Sequence, residues 1–73
     1  GGVVVYPNPT TGELNIATSR VNQVAITLYT LSGQIILNEV NQKTIDINYL
    51  ESGVYFMHIH IGGLTYIRKV IKQ

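Results

Sequence analysis

The sequence predicts an all-β domain, and two observations lead to this fold class. Short runs of β-branched and aromatic residues are separated by Gly, Pro, Asn and Ser at intervals of roughly 8–12 residues, as in sandwiches and barrels. No window has apolar residues at the spacing that a helix requires. We therefore expect an Ig-like β-sandwich of about seven short strands, mainly antiparallel.

Seven strands are predicted, one for each apolar run. They span Val3–Tyr6, Glu13–Thr18, Val24–Leu31, Gln34–Val40, Lys43–Asn48, Val54–Ile61 and Leu64–Ile71. The last run does not alternate cleanly between apolar and polar residues, so we expect a bulge near Arg68 and Lys69 that restores the alternation.

Alternation assigns most side chains to a core-facing or an outward row, because successive side chains in a strand point to opposite faces. The core-facing rows are Leu14 and Ile16; Val24, Ile26 and Leu28; Ile45 and Ile47; and Tyr55, Met57, Ile59 and Ile61. In the sixth strand this places His58 and His60 on the outward side.

The segment after the first strand is predicted to be a turn. Pro7 and Pro9 fix φ and lack an N–H, so they cannot continue a central ladder. Asn8 is expected to hydrogen-bond its own backbone two residues further on. Gly12 is expected to supply a positive φ before the second strand begins.

Further turns are predicted at glycines. Ser32-Gly33 and Gly62-Gly63 each lie between apolar runs and have the spacing of two-residue hairpins. Gly53 permits a left-handed residue ahead of the sixth strand. Leu50–Gly53 is the best candidate for a single helical turn.

Length and composition exclude several functions. At 73 residues there is room for one domain, and 45% hydrophobic with 12% charged residues is typical of a folded domain. A net charge of +1 argues against binding nucleic-acid phosphates. The absence of cysteine excludes disulfides, and no apolar run is long enough to span a bilayer. We interpret residues 1–2 as a linker or cloning remnant and residues 3–73 as the domain, with any signal peptide upstream.

His58 and His60 are the only residues that resemble a metal site. Their rings share one strand face, but a closed site would need Asp46 or Glu39 as further ligands. The simpler interpretation is a solvent-facing row with ordinary cross-strand pairing, and we favour it. Neither a metal nor a cofactor is expected.

No catalytic constellation stands out. Ser19, Ser32 and Ser52 lie in predicted turns, where serine is favoured for backbone hydrogen bonding. No nucleophile elbow or phosphate-binding loop is present, and the four carboxylates are not spaced as a pair. We predict that the domain is not an enzyme.

The basic residues are concentrated at one end. Three of the five, Arg68, Lys69 and Lys72, lie within five positions of one another. Charge on an exposed edge strand discourages aggregation between strands. The same charges would suit a docking strip for another protein, and the sequence leaves both interpretations open.

Four motifs follow one another along the chain. They are Tyr6-Pro7-Asn8-Pro9-Thr10-Thr11-Gly12, Tyr29-Thr30-Leu31-Ser32-Gly33, a Leu-x-x-Gly-x-Tyr element from Leu50 to Tyr55, and a Lys-apolar-apolar-Lys ending from Lys69 to Lys72. In this order they resemble the type A C-terminal sorting domain of the type IX (Por) secretion system, from Val5 onward. Thr30 stands where that family usually has Asp, so a carboxylate role in this turn is either lost or replaced by the threonine hydroxyl. Ser52 replaces a frequent Pro or Ala.

The resemblance implies a sorting signal that directs its parent protein across the outer membrane of a member of the Bacteroidota. The parent would pass through the periplasm and reach the cell surface or the medium. The implied partners are the outer-membrane translocon or its shuttle, a surface sortase that removes the domain, and an N-terminal cargo domain. Pairing through unprotected strand edges would give a dimer of the isolated domain.

The resemblance also assigns roles to two groups of residues. The surface read by the sorting machinery is expected at Arg68, Lys69, Val70 and Lys72. The motif and turn scaffold is expected at Pro7, Asn8, Pro9, Gly12, Gly33, Leu50, Gly53 and Tyr55.

Two alternative functions fit the same fold class. One is an Ig-like spacer or adhesion module, which, unlike a sorting domain, would be followed by further domains. The other is a carbohydrate-binding module, since five tyrosines are present. We expect Tyr29, Tyr49 and Tyr55 in the core or at its edge. That leaves Tyr6 and Tyr66 on the surface, too few for a sugar-stacking platform.

Overall fold

Seven strands form at the short runs rich in β-branched and aromatic residues, and turn residues separate them. The computed structural model of the protein describes residues 2–20 and 22–73; Gly1, half of the predicted linker, lies outside them. The strands are β1 (Val3–Tyr6), β2 (Glu13–Thr18), β3 (Val24–Tyr29), β4 (Ile35–Val40), β5 (Thr44–Asp46), β6 (Gly53–Ile61) and β7 (Leu64–Lys72). The described residues contain no helix. The predicted all-β class is confirmed.

The strands form two antiparallel sheets with one core between them. The smaller sheet has the order β1-β2-β5 and the larger the order β4-β3-β6-β7. The core is formed by Val3, Val5, Leu14, Ile16, Val24, Ile26, Leu28, Ile45, Ile47, Met57, Ile59, Ile61 and Val70. All residues of the predicted core-facing rows belong to this core except Tyr55, which packs against it. The assignment of faces by alternation is therefore confirmed for these rows.

The β3–β4 connection has a three-residue loop and not the two-residue hairpin predicted at Ser32-Gly33. The Thr30 N–H donates to the Gln34 carbonyl at 2.9 Å, and the Gly33 N–H donates to the Thr30 carbonyl at 3.0 Å. Gly33 has a φ of 93°, as the last residue of such a loop requires. The Thr30 hydroxyl accepts from the Gln34 N–H at 3.0 Å, so of the two alternatives left open for this position the hydroxyl takes a role in the turn.

The predicted bulge in the last strand is wrong. β6 and β7 pair without interruption from Gly53↔Lys72 to Ile61↔Leu64. The irregularity lies instead between β3 and β4, where Leu28 pairs with Leu37 and Tyr29 pairs with Ile35. β7 in fact alternates cleanly, but two basic side chains occupy core-facing positions in it, which concealed the pattern. Its core-facing residues are Tyr66, Arg68, Val70 and Lys72, and its outward residues are Ile67, Lys69 and Ile71.

The turn before β6 also differs from the prediction. No helical turn spans Leu50–Gly53; the Leu50 N–H donates to the Ile47 carbonyl at 3.0 Å, so the turn closes earlier. The Asp46 carboxylate accepts from the Asn48 N–H at 2.8 Å and starts the turn there. Gly53 begins β6 with a positive φ of 157°. The two-residue hairpin at Gly62-Gly63 is confirmed.

Candidate recognition surface at the terminal strand

The opening Pro-Asn-Pro segment lies along the outer edge of β7. The Asn8 side-chain amide donates from Nδ2 to the Lys69 carbonyl at 2.6 Å and accepts at Oδ1 from the Ile71 N–H at 2.9 Å. A carboxamide has the same donor and acceptor as a peptide group, so it can stand in for a neighbouring strand. The prediction that Asn8 bonds its own backbone is wrong, because its partners lie 61 and 63 residues away.

Thr10 continues this contact through its own backbone. Its N–H donates to the Ile71 carbonyl at 2.8 Å, and its carbonyl accepts from the Gln73 N–H at 2.8 Å, forming a parallel bridge. Thr10 is 1% exposed. Its hydroxyl donates to the Glu13 carbonyl at 2.5 Å and accepts from the Gly12 N–H at 3.1 Å. The first and last motifs of the sequence are therefore one structural unit, which sequence reasoning missed.

Gly12 allows a close approach to Asn48 and does not supply a positive φ. Its φ is not among the positive ones, contrary to the prediction. A Cβ atom at this position would lie 2.7 Å from Asn48 Oδ1 and 2.9 Å from Asn48 Cγ. The Gly12 carbonyl also accepts from the Ile47 N–H at 2.7 Å. The end of the opening motif thus packs against the turn that follows β5.

Arg68 connects the two sheets. Its Nε and Nη2 both donate to the Val3 carbonyl, at 3.3 and 3.1 Å, and its Nη1 donates to the Ile67 carbonyl at 3.0 Å. The guanidinium carbon lies 5.6 Å from the centre of the Tyr66 ring. Arg68 is half-buried on the core-facing side of β7. Its guanidinium therefore links β7 to β1 across the edge of the sandwich.

The other residues predicted for recognition differ in access. Val70 is fully buried in the core, and Lys72 is 8% exposed with Nζ donating to the Gln73 carbonyl at 3.0 Å. Lys69 is exposed on the outward face, paired with Phe56 of β6. Of these four residues, Lys69 presents its charge on the outward face of the larger sheet.

The Leu-x-x-Gly-x-Tyr element forms a corner that leads into β6. The Tyr55 hydroxyl donates to the Glu51 carbonyl at 2.7 Å, and the Leu50 and Tyr55 side chains pack against the core. A tyrosine bonded to backbone a few residues upstream holds a corner in other sandwiches. The scaffold role expected for Leu50 and Tyr55 therefore has a physical basis in these contacts.

The tyrosine predictions are only partly right. Tyr55 packs at the core edge and Tyr6 is 49% exposed, as expected. Tyr49 is 67% exposed, so its core assignment is wrong, because the early turn at Ile47–Leu50 turns it outward. Tyr29 lies half-buried on the outward face, its ring centre 4.4 Å from that of His58. Tyr66, expected on the surface, packs against the core and accepts from Arg20 Nε at 3.2 Å.

The two histidines face outward as predicted, but the ligands suggested for them are elsewhere. Their ring centres are 6.4 Å apart, and His60 Nδ1 lies 2.9 Å from the Thr65 hydroxyl. Glu39 pairs with Ile26 and so shares the core-facing side of the sheet, while Asp46 belongs to the smaller sheet. Among residues 2–20 and 22–73, no three His, Asp or Glu side chains form a metal-binding group.

These features define a class of protein, a small β-sandwich module whose terminal strand is held by its opening motif. A family model described as a secretion system C-terminal sorting domain matches residues 4–73. The chain belongs to this family, the sorting domains of type IX secretion, and the resemblance inferred from the four motifs is confirmed. No curated protein matches the sequence significantly. In the part of the chain that the structure describes, no helix is long and apolar enough to cross a membrane.

Proposed function

We propose that the domain is read as a folded unit by the type IX machinery in the periplasm, so that its parent protein crosses the outer membrane. Membership of the sorting-domain family supports this role. The domain then acts by binding and not by catalysis, and the parent protein ends at the cell surface or in the medium of a member of the Bacteroidota. The partners are the outer-membrane translocon or its shuttle.

Removal of the domain by a surface sortase is part of the same proposal. β1 begins at Val3, and Val3 and Val5 belong to the core. A cut ahead of Val3 would release an intact sandwich, whereas a cut within β1 would remove core residues. We therefore place the cleavage point upstream of β1, between the N-terminal cargo and the domain.

The observation that carries the proposal is the contact between the opening motif and the terminal strand. Asn8 and Thr10 together bond Lys69, Ile71 and Gln73. A receptor that recognises a folded surface needs a few groups in a rigid arrangement. The two most distinctive motifs of the chain provide one here. The machinery engages it at Lys69, the exposed member of the four residues expected for recognition, while Arg68, Val70 and Lys72 hold the strand in place.

Secretion of a fusion protein tests the proposed function. A reporter with an ordinary signal peptide is placed ahead of residues 3–73 and expressed in a type IX-competent bacterium. We expect the reporter at the surface or in the medium, and in the periplasm when the domain is omitted or the host lacks the type IX system. A fusion without residues 69–73 should also remain in the periplasm. Equal distribution with and without the domain would exclude the proposal.

The deletion needs a folding control, because Val70 is a core residue. Circular dichroism of the purified truncated domain shows whether the sandwich survives. Should the truncated domain be unfolded, a full-length Leu28→Asp variant, unfolded through its core, provides the comparison. If the truncated fusion and the Leu28→Asp fusion both stay in the periplasm, recognition requires the folded domain. Normal secretion of Leu28→Asp would contradict recognition of a folded unit.

A further inference from the structure

The outward face of the larger sheet is rich in apolar residues, although no strand in the described part of the chain covers it. On β7 it presents Ile67, Lys69 and Ile71, and their partners on β6 are His58, Phe56 and Val54. Tyr29 of β3 extends this row beyond Phe56. Ile67 is 55% exposed, and Phe56, Val54 and Ile71 are half-buried. We call the residues Tyr29, Val54, Phe56, His58, Ile67, Lys69 and Ile71 the outer apolar face.

Charge is distributed unequally between the two outward surfaces of the sandwich. Glu13 and Asp46 pair on the outward side of the smaller sheet. Of the other two carboxylates, Glu39 shares the core-facing side of β4 with Leu37, and Glu51 lies in the turn before β6. The side chains of Glu13, Asp46 and Glu39 therefore lie off the outer apolar face, and Glu51 lies outside the strands that form it. Among residues 2–20 and 22–73, Lys69 is the one lysine or arginine on that face, and the residue paired with it is Phe56 and not a carboxylate.

The backbone beneath Lys69 is held in place. Asn8 bonds the Lys69 carbonyl and the Ile71 N–H, and Thr10 bonds the Ile71 carbonyl. On the other side, the unbroken register with β6 fixes Lys69 opposite Phe56. A lysine held at a defined point within an apolar surface is suited to meeting a single carboxylate.

We propose that the outer apolar face docks onto a partner protein of the export machinery, whose matching surface is apolar and carries a carboxylate opposite Lys69. This inference rests on the proposed sorting function and specifies the partner's chemistry. Burial of Phe56 and Ile67 supplies the association energy, since aromatic and aliphatic anchors dominate interface cores. Lys69 determines orientation and selects an acidic partner. An anionic lipid surface fits less well, because lipid attraction needs clustered basic residues and this face has one.

Two matched pairs of substitutions in the fusion reporter test this surface. Ile67→Asp is compared with Val4→Asp, since both are β-branched residues on edge strands, 55% and 59% exposed, but on opposite outward surfaces. Lys69→Glu is compared with Lys43→Glu, an exposed lysine between β4 and β5. Thermal unfolding of each purified domain establishes that the members of a pair remain equally folded.

We expect Ile67→Asp and Lys69→Glu to lower the secreted fraction by about tenfold or more, the change that loss of one good contact causes, with the reporter held in the periplasm. Val4→Asp and Lys43→Glu should be secreted like the wild type. If the wild-type fusion and all four variants are secreted, the outer apolar face is not the docking surface, while the proposed sorting function stands. If the wild-type fusion is not secreted, the sorting function itself fails.

Two measurements on the purified domain test whether a second copy of the domain or a lipid surface binds the outer apolar face instead. Light scattering across a concentration series detects a second copy, whose acidic outward surface at Glu13 and Asp46 would also complement Lys69. Sedimentation with phosphatidylglycerol vesicles detects lipid binding. A dimer or a vesicle complex that Ile67→Asp or Lys69→Glu abolishes would overturn the proposal. Monomers that leave the vesicles unbound, together with secretion lost only in these two variants, would support it.

Discussion

The side-chain amide of Asn8 pairs with the backbone of β7 on both sides of Val70. Nδ2 donates to the Lys69 carbonyl at 2.6 Å, and Oδ1 accepts from the Ile71 N–H at 2.9 Å. An edge strand normally leaves such groups open to pairing with another chain. In this domain Asn8 and Thr10 occupy the outer edge of β7 from Lys69 onward, up to Gln73, which follows the strand. The Pro-Asn-Pro motif therefore protects an edge as well as forming a turn.

Loss of the Asn8 amide is expected to weaken the terminal strand. Asn8→Ala removes both hydrogen bonds and should lower the free energy of unfolding in urea by about 1–3 kcal/mol. Amide exchange at Ile71 should accelerate more than exchange at core amides. Asn38→Ala on edge strand β4 removes one side-chain bond, donated by the Thr27 hydroxyl of β3, and should cost about 1 kcal/mol or less. Unchanged exchange at Ile71 in Asn8→Ala would contradict the edge role.

Neighbouring basic residues on β7 should differ in their contribution to stability. Arg68→Met keeps an apolar stem but leaves the Val3 carbonyl without its two donors, so we expect a loss of about 1–3 kcal/mol. Lys69→Met alters an exposed side chain and should change stability by about 0.5 kcal/mol or less. Urea denaturation of both variants measures the difference. Equal losses would show that the Arg68 bridge contributes little.

The corner before β6 should depend on one hydroxyl. Tyr55→Phe removes the hydrogen bond to the Glu51 carbonyl and should lower the free energy of unfolding by about 1 kcal/mol. Tyr49→Phe makes the same chemical change at a residue that is 67% exposed, and should have an effect of about 0.5 kcal/mol or less. Thermal unfolding distinguishes them, and a Tyr49→Phe effect as large as that of Tyr55→Phe would contradict this assignment.

The β3–β4 loop should require a residue that tolerates positive φ. Gly33 has a φ of 93°, and a Cβ there meets no atom within 4 Å, so the cost of substitution is conformational and not steric crowding. Gly33→Ala should lower stability by about 1–2 kcal/mol. Gly33→Asn should cost less, because asparagine adopts left-handed conformations more readily. Equal stability of the alanine variant and the wild type would argue against the three-residue loop.

Local pattern was sufficient for most of the fold. Period-two alternation identified seven strands and their core-facing rows because burial on one face selects apolar residues at every second position. It failed in β7, where Arg68 and Lys72 take core-facing positions and the apolar Ile67 and Ile71 face outward. An arginine whose stem packs and whose head reaches a backbone carbonyl looks polar in sequence, and alternation cannot distinguish it from a surface residue.

The candidate site depended more on long-range geometry. The sequence drew attention to the basic ending and to the Pro-Asn-Pro motif, and their resemblance to sorting domains identified the family. It could not show that Asn8 bonds β7, because polar turn residues satisfy local and distant backbone groups equally well. A signal was available in Thr10-Thr11-Gly12, where threonine before glycine favours a hydroxyl-to-backbone bond. That signal indicates a turn and not its partner.

By itself the sequence determined the all-β class, the seven strands, the core-facing rows of four of them and the family, because these depend on alternation, turn chemistry and motif order along the chain. Tertiary structure decided which of the terminal residues are accessible. Val70 is buried, Arg68 and Lys72 bond backbone carbonyls, and Lys69 faces outward between two isoleucines. The physical reason is that exposure depends on packing between sheets, which brings together residues more than sixty positions apart.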